Sequence, residues 1–123
     1  ASAALDPREK DARKQIMDLT GGTGVGAAID FVGAESSATF GQRALARGGR
    51  LIIVGLFGGT FSTPLPMFAF TGAAFMGSVT GTPAEMAEMM ALVRAGKVSP
   101  VPVTTRGLDQ ANDALQDLRK GLI

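Results

Sequence analysis

Short apolar runs recur along the chain and predict strands. The most continuous of them, Leu-Ile-Ile-Val within residues 50–57, has no polar interruption, which is typical of a strand covered on both faces in a parallel sheet. Four other apolar runs predict shorter extended pieces, at 1–5, 27–33, 73–79 and 101–105.

Stretches of helical apolar spacing separate these runs, and their ends carry capping residues. Asp6 as the cap, Pro7 in the first turn and Glu9 three residues after the cap predict a helix that stops at Gly21. The same combination recurs at 82–85, where Thr82, Pro83 and Glu85 predict a helix that ends at Gly96, with Met86, Met90 and Val93 facing the core. The other predicted helical segments are 35–49, capped by Ser36 or Ser37, a short turn at 66–70, and 108–121, capped by Asp109.

Strands therefore alternate with helices along the chain. This alternation predicts the α/β class, with a mostly parallel, doubly wound sheet. With 123 residues, the chain has the length of one ordinary domain, and no linker or internal repeat divides it.

A glycine motif, Gly22-x-Gly24-x-x-Ala27, has the spacing of a loop that holds a dinucleotide pyrophosphate. Such a loop leaves a strand and opens a helix, whose free amides then face the anion. Here the predicted order is reversed, because a helix ends at about Thr20 and a strand begins near Ala27. The motif is therefore interpreted as a helix-to-strand turn.

Composition removes several classes of chemistry. The chain has no Cys, His or Tyr, which excludes disulfides, Cys or His zinc ligands and a Ser-His-Asp triad within these residues. Asp30 is the one carboxylate inside a predicted strand, and we interpret it as structurally paired rather than catalytic. With 12 basic and 11 acidic residues spread along the chain, no nucleic-acid partner is expected. No apolar run is long enough to cross a bilayer. We therefore expect no membrane partner, and we expect a cytoplasmic location.

Four segments in series resemble the medium-chain dehydrogenase/reductase superfamily, and most closely its zinc-type alcohol dehydrogenase branch. They are LTGGTGVGAAIDFVGA, ALARGGRLIIVGLFGG, FMGSVTGTPAEMAEMMALVRAGKV and LDQANDALQDLRKG. The resemblance implies a partial Rossmann-like sheet that lacks its first two strands, with 1–5 as the third strand of the usual order. Residues 1–123 then form a single incomplete dinucleotide-binding domain, and the catalytic domain with its zinc is expected to be absent.

In open α/β sheets, ligands bind beyond the carboxyl ends of the strands. Three turns of this chain follow such ends, and the resemblance implies that they contact NAD or NADP. The turn at the end of the 27–33 strand is implied to lie beside the adenosine. The alternative interpretation, an ordinary strand-to-helix turn without a ligand, stays open. The other two are implied to lie near the nicotinamide. The candidate cofactor-binding residues are Phe31, Val32, Gly33, Val54, Gly55, Leu56, Ser78, Val79 and Thr80.

The resemblance implies a fragment of an NAD(P)-dependent alcohol dehydrogenase-like oxidoreductase, whose parent moves hydride between an alcohol and an aldehyde or ketone. The chain alone is expected to be inactive. Two alternatives stay open: a non-catalytic, self-associating α/β half-domain, and the same part of a zinc-independent quinone or enoyl reductase.

A homo-oligomer is expected through unpaired sheet edges or through residues 61–81. The second region concentrates apolar side chains, which either form an interface or pack under the chain's own helices. They are Phe61, Leu65, Met67, Phe68 and Phe70.

Overall fold

The computed structural model describes residues 2–123, which divide into a first unit that extends to Thr80 and a second unit, Gly81–Ile123. Three helices and three strands make up the first unit. In chain order they are α1 (Ala12–Leu19), β1 (Val25–Asp30), α2 (Glu35–Ala44), β2 (Leu45–Ile53), α3 (Leu65–Thr71) and β3 (Ala74–Gly77).

The three strands form one parallel sheet in the order β1-β2-β3, which confirms the α/β class and the partial Rossmann-like sheet. Strand β2 lies in the middle, as expected for an unbroken apolar run, because a central strand is the one most fully covered by its neighbours. Leu51 of β2 is fully buried, and its register partners are Ala28 of β1 and Phe75 of β3. Three small residues of α1 and α2 are buried as well: Ala12, Ala38 and Ala44.

The glycine motif lies where its interpretation requires. The chain leaves α1 at Leu19, turns through Gly21 and Gly22 at positive φ, and enters β1 at Val25. Because a strand and not a helix follows the glycines, they do not face the unpaired backbone amides of a helix N-terminus. The helix-to-strand turn is confirmed.

Two predictions at the start of the chain are wrong. Residues 2–5 form no strand, and Ala1, with which that predicted strand begins, lies outside the described residues. The first helix begins at Ala12, because Asp6 accepts hydrogen bonds from the backbone and guanidinium of Arg8 and so closes a local turn instead of capping a helix. Residues 101–105, predicted as a short extended piece, belong to no helix or strand.

The boundary between α2 and β2 also differs from the prediction. The helix ends at Ala44 and β2 begins at Leu45, although the apolar spacing predicted a helix as far as 47–49. Pairing of Leu45 with Val25 draws the chain into the sheet. The register then shifts, because Ala27 pairs with Arg50, five residues after Leu45 on β2. Tertiary pairing thus overrides the local helical spacing.

The second unit contains α4 (Pro83–Arg94), a single 3-10 turn (Leu108–Gln110) and α5 (Ala111–Arg119). The α4 capping box is confirmed, because Thr82 Oγ1 accepts from the Glu85 amide at 3.2 Å while the Glu85 carboxylate accepts from the Thr82 amide at 2.6 Å. Asp109 lies in the 3-10 turn and makes no cap for α5.

The predicted inner stripe of α4 is not buried. Met86 is 57% exposed and Met90 39%, and no residue of 81–123 is buried in the described structure. The stripe therefore lacks the neighbouring apolar surface that helical spacing alone led us to expect.

Candidate functional site

The carboxyl ends of the three parallel strands lie in one row. Asp30 of β1 is the register partner of Ile53 in β2, and Ile53 is the partner of Gly77 in β3. Three turns leave this row: the first turn (31–33), the second turn (54–56) and the third turn (78–80). All nine sequence-predicted site residues therefore follow the same edge of the sheet.

Backbone hydrogen bonds join the first and second turns. The carbonyl oxygen of Asp30 accepts from the amides of Val54 at 2.9 Å and Gly55 at 3.0 Å. Further along, the amide of Phe57 donates to the Val32 carbonyl at 3.0 Å and the amide of Gly58 to the Gly33 carbonyl at 3.1 Å. These bonds continue the sheet pairing past the last strand residues and hold the two turns side by side.

The third turn is tied to the row by one bond, from the Ser78 amide to the Ile53 carbonyl at 2.9 Å. Ser78, Val79 and Thr80 are all exposed. The structure therefore brings the first and second turns into direct contact and places the third at the same edge, beyond β2.

Two glycines allow the close approach of the first two turns. Gly33 has φ +71°, and a Cβ built on it would overlap the carbonyl of Gly55. A Cβ on Gly55 would overlap the carbonyl of Val32. The neighbouring backbone is therefore a sufficient reason for glycine at both positions, independent of any ligand.

Asp30 is buried at the centre of this arrangement. One carboxylate oxygen accepts from the amides of Val32 at 2.9 Å and Gly33 at 3.0 Å, and the other accepts from the Ser37 hydroxyl at 2.8 Å. Ser37 Oγ also accepts from the Ala34 amide, so Ser37 acts from the third position of α2 and not as the predicted N-cap. The interpretation of Asp30 as structural is supported, with hydrogen-bond donors in place of a cation.

These donors set the protonation state of Asp30. Burial raises the pKa of its carboxyl group, but hydrogen bonds from Gly33, Ser37 and Val32 outweigh burial and hold the pKa below its ordinary value. A lowered pKa in the folded chain stabilises the fold at pH values above the unfolded pKa. That stabilisation is lost as the pH falls through the folded pKa.

The turns expose large apolar side chains at the edge of the sheet. Phe31 is 75% exposed, Leu56 97% and Val79 89%. An open groove of about 710 Å³ begins at Phe31 and Val32 and follows β1, and another of about 850 Å³ lies between Lys10, α2 and the Phe57–Gly59 segment. This edge can receive an extended ligand with apolar faces, and its exposed backbone can supply the polar contacts.

Part of the apolar region after β2 packs within the chain, and the interface interpretation of the rest stays a prediction. Phe61 and Phe68 are half-buried, and their rings lie 5.2 and 5.0 Å from that of Phe75. Leu65 and Phe70 remain exposed.

Within residues 2–123, no three Asp or Glu side chains lie close enough together to hold a metal ion, and the chain has no Cys or His. A zinc site therefore does not fit the residues of this chain. No helix in this part of the chain is both long enough and apolar enough to span a bilayer.

Comparison with known proteins agrees with this geometry. The family model described as zinc-binding dehydrogenase matches residues 1–95. The crystal structure of an alcohol dehydrogenase from Aeropyrum pernix superposes with a TM-score of 0.86 at 40% identity, covering 98% of this chain and 34% of that one.

Two curated relatives extend the comparison. An NAD-dependent alcohol dehydrogenase of Saccharolobus solfataricus is 31% identical over 118 residues, covering 96% of this chain and 34% of the relative. An L-threonine 3-dehydrogenase of Pyrococcus furiosus is 29% identical over 126 residues, covering 98% of this chain and 36% of the relative. The chain thus spans about a third of the length of the relatives it matches.

The parallel sheet and its neighbours in known structures define part of a Rossmann-like domain of the medium-chain dehydrogenase type. The chain belongs to the zinc-binding dehydrogenase family, as its resemblance to the zinc-type alcohol dehydrogenase branch predicted.

Sequence reasoning missed two features of the site. It did not predict that Asp30 and Ser37 are joined, and it did not include Phe57, which is exposed directly after the second turn. An acidic residue at the end of an otherwise apolar strand, with a serine seven positions later, is the signal available for the first feature.

Proposed function

We propose that the three turns hold the nicotinamide and adenosine parts of NAD or NADP in an alcohol dehydrogenase-like oxidoreductase. One observation carries the proposal: this chain, which belongs to the family, exposes Phe31, Leu56 and Val79 at the carboxyl edge of its parallel sheet. Ligands of open α/β sheets bind at this edge. Large apolar side chains placed there suit the flat faces of a dinucleotide's rings.

Each turn has a separate role in the proposal. Phe31, Val32 and Gly33 lie beside the adenosine, with the two apolar side chains as its contact surface. The second turn, Val54–Gly55–Leu56, shapes one side of the nicotinamide site, and the exposed backbone of the third, Ser78–Val79–Thr80, supplies polar partners for the carboxamide. None of these residues moves a proton. They bind, orient and exclude water, while the bound nucleotide supplies the hydride chemistry.

The remaining parts of the activity lie with the parent protein in this proposal. Hydride transfer between an alcohol and an aldehyde or ketone, the small substrate and the zinc are assigned to regions that the relatives have in addition to this third of their length. The names of the relatives include both alcohol and L-threonine dehydrogenases, so the proposal specifies a reaction class and not a substrate. The proposal includes both NAD and NADP as the cofactor. A zinc-independent quinone or enoyl reductase is the alternative parent.

A second candidate function follows from the unpaired edge that β1 presents. In the described sheet β1 pairs on one side only, with β2, and Ile29 of β1 is exposed. An unpaired edge with apolar side chains favours pairing with another chain. In this candidate, the polypeptide is a self-associating α/β module without turnover.

Titration of NADH and NADPH into the purified chain, followed by nicotinamide fluorescence, tests the proposal. Leu56→Asp places a carboxylate at the proposed ring face and should weaken binding by about tenfold, which corresponds to about 1.4 kcal/mol. Leu108→Asp is the matched control, because Leu108 is equally exposed but lies outside the three turns. Equal affinity of both variants, or no saturable signal with the wild-type chain, would favour the self-associating module.

A further inference from the structure

Asp30 forms hydrogen bonds to both the first and the second turn. Its side chain holds the amides of Val32 and Gly33, and its own carbonyl holds the amides of Val54 and Gly55. Four amides from two turns thus converge on one residue. No lysine or arginine among residues 2–123 forms an ion pair with it.

Ser37 links the same carboxylate to α2. Its hydroxyl donates to Asp30 at 2.8 Å and accepts from the Ala34 amide at 3.1 Å. The first turn is therefore fixed at both ends, by Asp30 where β1 ends and by Ser37 where α2 begins. The carbonyls of Val32 and Gly33 accept from the amides of Phe57 and Gly58, so a shift of the first turn disturbs the segment that follows the second turn.

We propose that Asp30 is a positioning residue of the dinucleotide site, which holds the first and second turns at one spacing without touching the ligand. This inference rests on the proposed function, since it concerns the same turns. A buried anion that accepts only from N–H and O–H donors keeps those donors in place, because each would otherwise lose a charge-assisted hydrogen bond. The lowered pKa of its carboxyl group keeps this acceptor ionised at neutral pH.

The contacts predict a graded response to substitution. Asp30→Asn keeps one oxygen for the amides of Val32 and Gly33 but removes the charge. Asp30→Ala removes all three side-chain acceptor contacts. Ser37→Ala removes one contact of Asp30, the link to α2, together with the acceptor of the Ala34 amide. Ser37→Ala retains the buried carboxylate and its backbone contacts, so it provides a mild variant if Asp30→Ala does not fold.

Hydrogen exchange of the chain without ligand tests the positioning directly. We expect amide exchange at Val32 and Gly33 to accelerate by about tenfold in Asp30→Ala, because both amides lose their side-chain acceptor. Val54 and Gly55 keep the backbone carbonyl of residue 30 as their acceptor, so their exchange should accelerate only as far as the first turn moves. Asp30→Asn and Ser37→Ala should have smaller effects, because fewer hydrogen bonds to the charged group are lost. Leu51→Val, in the buried centre of β2, controls for a general loss of stability. Exchange that accelerates equally at these amides in Leu51→Val and Asp30→Asn, at matched stability, overturns the proposal.

NADH titration of the same variants links the positioning to binding. We expect the dissociation constant to rise in the order Ser37→Ala, Asp30→Asn, Asp30→Ala, by about tenfold for the last, and to stay within about twofold for Leu51→Val. If the wild-type chain binds no dinucleotide, the proposed function fails while the exchange data still decide whether Asp30 holds the turns. Unchanged exchange in every Asp30 and Ser37 variant overturns the inference even where NADH binds.

Discussion

Gly33 and Gly55 set the shape of the site, because the lack of a Cβ at each position lets the first and second turns approach closely. Their backbones lie so close that a Cβ on either would overlap the carbonyl group of the opposite turn. The sequence analysis named Gly55 as a candidate cofactor-binding residue. The structure shows that the backbone of the neighbouring turn already requires glycine at position 55. Glycine at this position is therefore no evidence for a ligand.

Replacement of Gly33 by alanine separates conformational strain from steric overlap. Gly48 has nearly the same backbone conformation, φ +72° against +71°, but no atom lies within 4 Å of a Cβ placed there. Gly48→Ala should therefore lower the free energy of unfolding by about 1 kcal/mol, the cost of a left-handed conformation. Gly33→Ala should lower it by at least about 1 kcal/mol more, because the backbone of the second turn must move.

Urea unfolding of both variants measures the difference. Equal losses would mean that the two turns separate at little cost, which would weaken the argument that their spacing is fixed.

Asp30 illustrates how much of a residue's role a sequence pattern can predict. Its isolation within an apolar strand was enough to indicate a structural role. The donors that satisfy it come from the following turn and from Ser37, seven positions later, and that arrangement depends on where β1 ends and α2 begins.

Strand β1 forms one of the two open edges of the described sheet. Its Ile29 is 56% exposed and lines the groove of about 710 Å³ that follows the strand. The inference that unpaired edges lead to self-association stays a prediction, and this strand is the place to test it.

A charge on β1 should reduce self-association. Ile29→Lys places an ammonium group beside the unpaired edge, which opposes pairing with a second copy. We expect the weight-average mass in sedimentation to fall toward that of the monomer. Val103→Lys, which changes a still more exposed residue outside the sheet, should leave the mass unchanged. A monomeric wild-type chain, or equal behaviour of the two variants, would contradict association through this edge.

The two units differ in how much they bury. The first unit contains every buried residue of the described chain, among them Leu51 and Asp30, whereas residues 81–123 bury none. Few buried apolar contacts and exposed hydrogen bonds mark the parts of a protein that open most easily. The second unit therefore has secondary structure without a buried core of its own.

Native-state hydrogen exchange should reveal this difference. After correction for intrinsic rates, amides of α4 and α5 should exchange at least about tenfold faster than those of β1 and β2, because local opening there exposes little apolar surface. The α4 capping box makes its first-turn amides a useful internal reference, since Thr82 and Glu85 protect them locally. Equal protection in both units would show that the second unit is stabilised more than its burial indicates.

Local patterns by themselves determined the α/β class, the parallel central strand, the capped start of α4 and the turn-like nature of the glycine motif. In each case neighbouring residues in the chain carry the cause: an unbroken apolar run, a cap with its partner three positions on, or glycines after a helix. The ordered series of motifs also identified the family, because four segments in the right order carry more information than any one of them.

Only the tertiary structure decided where α2 gives way to β2, that residues 2–5 pair with no strand, that the Met stripe of α4 stays exposed, and that Asp30 joins two turns. Each of these depends on a partner distant in sequence, such as Val25 for Leu45 or Val54 and Gly55 for the carbonyl of Asp30. Strand pairing and burial are properties of surfaces that meet in space, so the periodicity of one segment cannot specify them.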